Sequence, residues 1–358
     1  GKGALQLALV LAAVYGIITN LFAGPLIDFF HLNSNLVVEN AIVYLRIACG
    51  LILFAFIGQT LTGLYTASGN SRTPFVANCI GMGANIVLDP LLIFGLGPIH
   101  GMGVAGAAAA TVSGQIIAAI LALAFNIKKN TELHLAIKGI RPNGQIIKEI
   151  YTVGVPSIIM ASIGSIMTFG MNKILIAFSS TATAVFGVYY KLQSFIFMPI
   201  FGLNNGMVPI IAYNYGAHKK NRVVQTIKLC IVSAIVIMAV GLSIFMLVPE
   251  TLLGMFKASQ DMLTIGVPAL RTISLSFVFA GFCIIVSSVF QALGNGMYSL
   301  IVSVCRQLLV ILPAAAILGY VFGLRAVWWA IPIAEIVSVL MSSFFYRKIY
   351  KEKIATLN

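Results

Sequence analysis

Charge is what this sequence has least of. Asp and Glu number nine among 358 residues, and the four charged types together make up only 9%. A soluble domain carries about 25% charged residues. A chain this poor in charge and 60% hydrophobic therefore excludes an ordinary water-soluble fold. Cysteine is scarce too: Cys49, Cys79, Cys230, Cys283 and Cys305 are scattered through apolar stretches, with no spacing suited to a metal or a redox pair. They read as small buried residues. His31, His100, His134 and His218 lie at or near loops, again without ligand spacing. No phosphate-binding glycine loop and no nucleophile–base spacing is present, so nothing points to an enzyme. Without an ATP-binding loop, any work across a membrane has to draw on an ion gradient.

What the sequence does have is long apolar runs. Ten are of a length to cross about 30 Å of hydrocarbon, near 5–30, 36–66, 74–97, 103–127, 151–178, 183–212, 223–248, 263–292, 298–320 and 326–346. The expected fold class is an all-α polytopic membrane protein with the lipid bilayer as its main partner. The 22 Lys and Arg against nine acids give +13, yet nucleic acid is not the expected partner, because the basic residues alternate between loops. One side collects Lys2, Arg72, Lys128, Lys129, Lys138, Arg141, Lys148, Lys219, Lys220, Arg222, Arg347, Lys348, Lys351 and Lys353, while the other has Lys257 and Arg325. The positive-inside rule then places both ends of the chain in the cytoplasm. We expect a plasma (inner) membrane protein, monomeric.

The basic connection 128–150 divides an N-terminal lobe, 1–140, from a C-terminal lobe, 141–358. Its tail IRPNGQIIKEIY is either an amphipathic surface segment or a plain linker. The two lobes are related. An offset of 225 residues lays 43–70 on 268–295 and matches Leu45/Leu270, Arg46/Arg271, Phe54/Phe279, Ala55/Ala280, Ala67/Ala292, Gly69/Gly294 and Asn70/Asn295. An offset of 220 matches Gly103/Gly323 and Ala110/Ala330 and sets Gln115 opposite Glu335. Internal duplication of this kind marks secondary transporters, whose substrate site lies between repeats. The second lobe opens with two helices that have no counterpart in the first. Repeat logic thus predicts ten helices present of twelve, with two missing ahead of Gly1.

Asp89 is the acid that asks for a role. With a helix starting near Pro74, it lies about 15 residues or roughly 22 Å in, and Asn85 shares its face. A carboxylate at such depth costs about 2.5–3.5 kcal/mol or more and should face a protein or water-filled interior. Pro90 follows and frees a backbone carbonyl that could help hold a cation. Capping of a helix break is the plainer reading. Glu335, three residues after Pro332, is the other deep acid: either a structural hydrogen-bonding group, or a partner for substrate or for Lys191. Lys191 in turn could snorkel to the interface. Arg46 and Arg271 share a repeat position that suggests packing, and Lys173 and Arg306 carry little information. Phe169, Phe195, Phe197, Tyr189 and Tyr190, with Met160, Met167, Met171 and Met198, could line a cavity for flat organic cations or simply pack helices.

The stretches GNSRTPFVANCIGMGANIVLDPLLIFG, GMGVAGAAAAT, YYKLQSFIFMPIFGLNNGMVPIIAYNYGA and FQALGN resemble the MATE (multidrug and toxic compound extrusion) family of the MOP flippase superfamily. The resemblance implies a twelve-helix, two-lobed transporter with a central cavity that alternates access, of which this chain begins at the third helix. It implies a cation site at Asn85 and Asp89, joined by Thr111 of the next helix, for H⁺ or Na⁺ and with no other cofactor. Acids that some members place on their seventh and tenth helices are lacking in 151–178 and 263–292. The expected function is a cation-coupled antiporter exporting organic cations or drugs. A lipid-linked oligosaccharide flippase and an inactive truncated chain are the alternatives. The expected cation-binding residues are Asp89, Asn85 and Thr111; the expected substrate-binding residues are Glu335, Lys191, Phe195 and Met198.

Overall fold

The computed structural model of the protein describes residues 2–28, 35–67, 70, 72–96, 99–129 and 144–357. They form two compact units, Gly1–Tyr151 and Thr152–Asn358. His31, His134, Lys138 and Arg141 lie outside the described residues, as does the first part of the expected surface segment.

Unit 1 contains α1 (Lys2–Leu21), α2 (Ala23–Asp28), α3 (Asn35–Gly50), α4 (Leu53–Ala67), α5 (Arg72–Phe94) and α6 (Val104–Lys129). α3 and α4 form one apolar run bent by 45°. Between α5 and α6 the chain turns through a two-residue antiparallel clasp, β1 (Gly95–Leu96) with β2 (Ile99–His100), in which Gly95 faces His100. Gly95 and Gly103 take positive φ angles of 81° and 54° there, a region that costs a residue with a Cβ dearly. α5 and α6 then pack backbone against backbone. A Cβ at Gly81 would sit 2.6 Å from the Gly114 carbonyl oxygen, and one at Gly114 would sit 2.7 Å from that of Gly81. Small residues at a helix crossing are how helices approach closely where lipid removes the hydrophobic drive. Leu61, Ala77 and Ala122 fill the small core, and the Tyr65 hydroxyl donates to the Ala122 carbonyl at 3.1 Å.

Unit 2 begins within α7 (Gly144–Ile176) and continues with α8 (Ser180–Gly216), α9 (Lys220–Leu247), α10 (Pro249–Gly254), α11 (Gln260–Ser274), α12 (Phe277–Ala292), α13 (Gly296–Val304), α14 (Leu312–Phe322), α15 (Leu324–Val327) and α16 (Ala330–Ile349). The units divide at 151/152, within α7. α11 and α12 are bent by 49°, where Ser276 Oγ donates to the Ile273 carbonyl and Ser274 Oγ to that of Arg271. Hydroxyls turned back on the backbone in this way bend helices. The α3–α4 and α11–α12 bends fall at matching places in the 225-residue repeat.

α13 and α14 are joined by a π-turn, Cys305–Ile311. Pro313 explains it. Proline has no N–H for the carbonyl four residues back and its ring crowds that carbonyl, so the turn before it widens. The core of unit 2 is large and continuous, with Met171, Leu175, Phe186, Ile200, Phe277 and Phe290 fully enclosed.

Among the described residues, seven helices are long and apolar enough to cross a membrane, or nine when each bent pair counts as one span. The tenth expected span, 5–30, contributes the shorter apolar helix Leu5–Leu21. At 1.5 Å per residue it reaches about 26 Å.

Candidate functional site

Unit 2 holds a polar cavity inside an apolar bundle. Its volume is about 520 Å³, and α8, α12, α16 and the π-turn supply Asn204, Gln291, Ser287, Ser288, Ser338 and Arg306 to its wall. A second cavity of about 210 Å³ shares Phe201, Ile284, Arg306 and Gln307 with the first and adds the rings of Phe186, Tyr189, Tyr190 and Phe197. Arg306 and Glu335 are the charged residues that line the two.

They meet each other. Arg306 Nη1 donates to Glu335 Oε1 at 2.7 Å. Glu335 is only 5% exposed, and burying an ion pair costs desolvation that the attraction has to offset. Polar atoms around it are left over: Glu335 Oε2, Ser338 Oγ and Asn204 Oδ1 are buried with no protein hydrogen-bond partner. Buried polar atoms nearly always have partners, so this wall is shaped for something besides protein.

Glu335 is therefore deep, as expected, but its partner is Arg306 and not Lys191. Lys191 is exposed, and its ammonium lies 5.9 Å from the centre of the Phe256 ring. Phe195 and Met198 are 71% and 64% exposed and line neither cavity. The aromatic wall comes from Phe186, Tyr189, Tyr190, Phe197 and Phe201 of the same helix. Of the further aromatic and methionine candidates, Met160 lines the larger cavity, while Met167, Tyr189 and Tyr190 line the smaller. Phe169 is exposed beneath the Lys173 ammonium, and Met171 is core. Sequence reasoning passed over Arg306. Its signal was there: an arginine well inside the apolar run 298–320 needs an acid, and Glu335 is the deep acid of the same lobe.

Unit 1 carries the other candidate group on α5 and α6. Asn85 and Asp89 are one turn apart and half-buried. Asn85 Nδ2 is enclosed without a partner. Pro90 stands inside α5 and leaves the Ile86 carbonyl without its helical donor. Thr111, half-buried on α6, gives its hydroxyl proton to the Ala107 carbonyl at 3.0 Å and keeps its oxygen lone pairs. No group of three or more His, Cys, Asp or Glu that could hold a metal occurs among the described residues. Arg46 and Arg271 are both exposed.

Known proteins share this architecture. The MatE family model matches residues 3–91 and 156–317. The multidrug export protein MepA of Staphylococcus haemolyticus is 29% identical over 301 residues, covering 84% of this chain and 65% of its own. MepA of Staphylococcus aureus (strain MSSA476) is 29% identical over 292 residues, 82% of this chain and 63% of its own. The chain thus spans a little under two thirds of the curated relatives it matches. Among solved structures, a MATE protein in its bent conformation superposes with a TM-score of 0.87 at 26% identity, covering 98% of this chain and 78% of that one. A MOP superfamily transporter from Pyrococcus furiosus gives 0.86 at 25% identity, with 99% and 79% covered. These relatives are transporters and export proteins, not enzymes. The chain belongs to the MatE family, the MATE transporters of the MOP superfamily.

Proposed function

We propose that this chain works in a cation-coupled antiporter that exports small organic molecules, organic cations or drugs among them, by alternating access. The observation that carries the reading is a hydrogen-bonding cavity with a buried ion pair, enclosed by helices of membrane length. A lipid-facing bundle without cargo gains nothing from such a cavity, since buried polar groups are costly. The export activity of the MepA relatives supports the same direction.

The coupling ion, H⁺ or Na⁺, is assigned to Asp89, with Asn85 and Thr111 beside it. An incoming cation neutralises the carboxylate, and its preference for one state of the transporter shifts the population toward release of cargo. The basic loops support an orientation with both ends of the chain on the cytoplasmic side, in the plasma membrane. A flippase for lipid-linked oligosaccharides is the weaker reading, because a pyrophosphate calls for several basic residues and Arg306 is, among the described residues, the one cation lining the two cavities.

The test is gradient-driven efflux of a fluorescent cationic dye from vesicles carrying the protein. Asp89→Asn, with protein levels unchanged, is expected to reduce coupled efflux at least about tenfold, the loss that follows when an ion site worth about 1.4 kcal/mol is removed. Efflux that survives the substitution removes Asp89 from the coupling.

A further inference from the structure

The ion pair leaves most of the arginine unused. A guanidinium carries five N–H donors in a planar fork. One of them, on Nη1, is given to Glu335. Arg306 lines both cavities, and its side chain keeps 23% of its surface exposed. On the acid, the second oxygen, Oε2, is fully buried and unpaired. The pair is thus held by one contact and not by the two parallel bonds that a matched guanidinium and carboxylate usually make. The π-turn at Cys305–Ile311 sets this geometry, since it places Arg306 and Gln307 on the cavity wall. The wall of the larger cavity also carries amides and hydroxyls without charge: Asn204, Asn205, Ser287, Ser303 and Gln307. The adjoining cavity offers five aromatic rings, that of Phe201 shared with the larger cavity.

From this we propose that the unit 2 cavity is a binding site for a small aromatic carboxylate, zwitterions included. The substrate's carboxylate takes the free edge of the Arg306 fork, and its ring system lies among Phe186, Tyr190 and Phe197. Glu335 is a positioning residue. It holds the guanidinium in place while the cavity is empty, and it weakens the grip on the incoming anion by sharing that guanidinium and repelling a second negative charge. Among the described residues the larger cavity is lined by a cation and by no acid, which ranks a carboxylate ahead of a cation of the same shape. This assignment names the cargo of the site described above and so rests on the export reading.

The experiment compares three fluorescent probes of one shape: anthracenecarboxylate, the neutral anthracenecarboxamide and the cationic anthracenylmethylammonium. Binding is measured on the purified full chain in detergent or nanodiscs. The carboxylate is expected to bind at least about tenfold tighter than the other two, a difference on the scale of one charge-assisted contact. Glu335→Gln is expected to tighten carboxylate binding by about tenfold or more, because it removes the competitor and leaves the arginine needy. Arg306→Gln is expected to abolish it. Since that single variant strands a buried acid and could fail to fold, the double variant Arg306→Gln/Glu335→Gln serves beside it. It strands no charge and should fold without binding the carboxylate. A merely structural pair would predict weaker binding in Glu335→Gln as well. The inference is overturned if Glu335→Gln loosens the carboxylate, if the double variant binds it as the wild type does, or if the ammonium is the preferred probe. A protein that exports dyes but ignores the carboxylate sinks this inference alone. One that binds the carboxylate but moves no probe across a membrane sinks the export reading and leaves the site standing.

Discussion

The two units treat the same crossing of helices in opposite ways. At the 225-residue offset Gly81 of α5 corresponds to Arg306, and at the 220-residue offset Gln115 of α6, the neighbour of Gly114, corresponds to Glu335. In unit 1 the two helices touch through glycine backbone, with no room for a Cβ at either residue. In unit 2 an arginine and a glutamate occupy that place, a π-turn widens the helix, and a cavity opens beside them. Around both sites the scaffold is alike. The α3–α4 and α11–α12 bends are 45° and 49°. The turn after each bent pair is closed by the same kind of bond, Asn70 N–H to the Tyr65 carbonyl and Asn295 N–H to that of Phe290. A duplicated frame is thus closed at one crossing by glycines and open at the other, where an ion pair and a π-turn stand.

Breaking the open crossing should have the largest effect. Arg306→Gln leaves Glu335 buried without its partner and is expected to cost about 3–5 kcal/mol, seen as a large fall in the thermal unfolding midpoint in detergent. The double replacement with Glu335→Gln should recover most of that loss. A single variant as stable as the wild type would mean that the pair is solvated and the crossing is no different from a surface contact. Forcing open the closed crossing ranks next. Gly81→Val drives a branched side chain into the Gly114 carbonyl and Ala118, and overpacking of this kind costs about 1–3 kcal/mol. Equal stability of Gly81→Val and wild type would show that α5 and α6 separate freely. The smallest change trims the clasp that steadies the closed side. Tyr65→Phe removes the hydroxyl that reaches the Ala122 carbonyl, for which about 0.5–1.5 kcal/mol is expected. The same thermal assay checks it, and a loss larger than that of Gly81→Val would reverse the ranking.

Much of the architecture was legible because membrane spans advertise themselves by length and apolarity. Each of the ten expected segments has a helix or a bent pair at its place, and the duplication was visible in 43–70 and 268–295. The site was read less well, for reasons that differ by residue. Glu335 stood out because an acid deep in an apolar run is rare. Arg306 did not, because its partner is 29 residues away on another helix, beyond the reach of any spacing rule for one helix. Phe195 and Met198 line neither unit 2 cavity, and which face of α8 turns inward is hard to read from sequence. A soluble helix shows its inner face by contrast with a polar outer one, whereas α8 is apolar all round and offers no such contrast. Asp89 and Asn85 lie on α5 and Thr111 on α6, all half-buried; the depth that drew attention to Asp89 is a property of helix length, which a sequence does record.

The widened turn at Cys305–Ile311 carries one more consequence. A π-turn holds one residue more than an α-helix of the same height, so deleting a single residue there would let the segment relax to α-helix. Gly319 and Phe322 would keep their faces, whereas the same deletion in a regular helix would rotate everything past it by about 100°. The segment is accordingly a place where an indel, normally ruinous inside a helix, is absorbed.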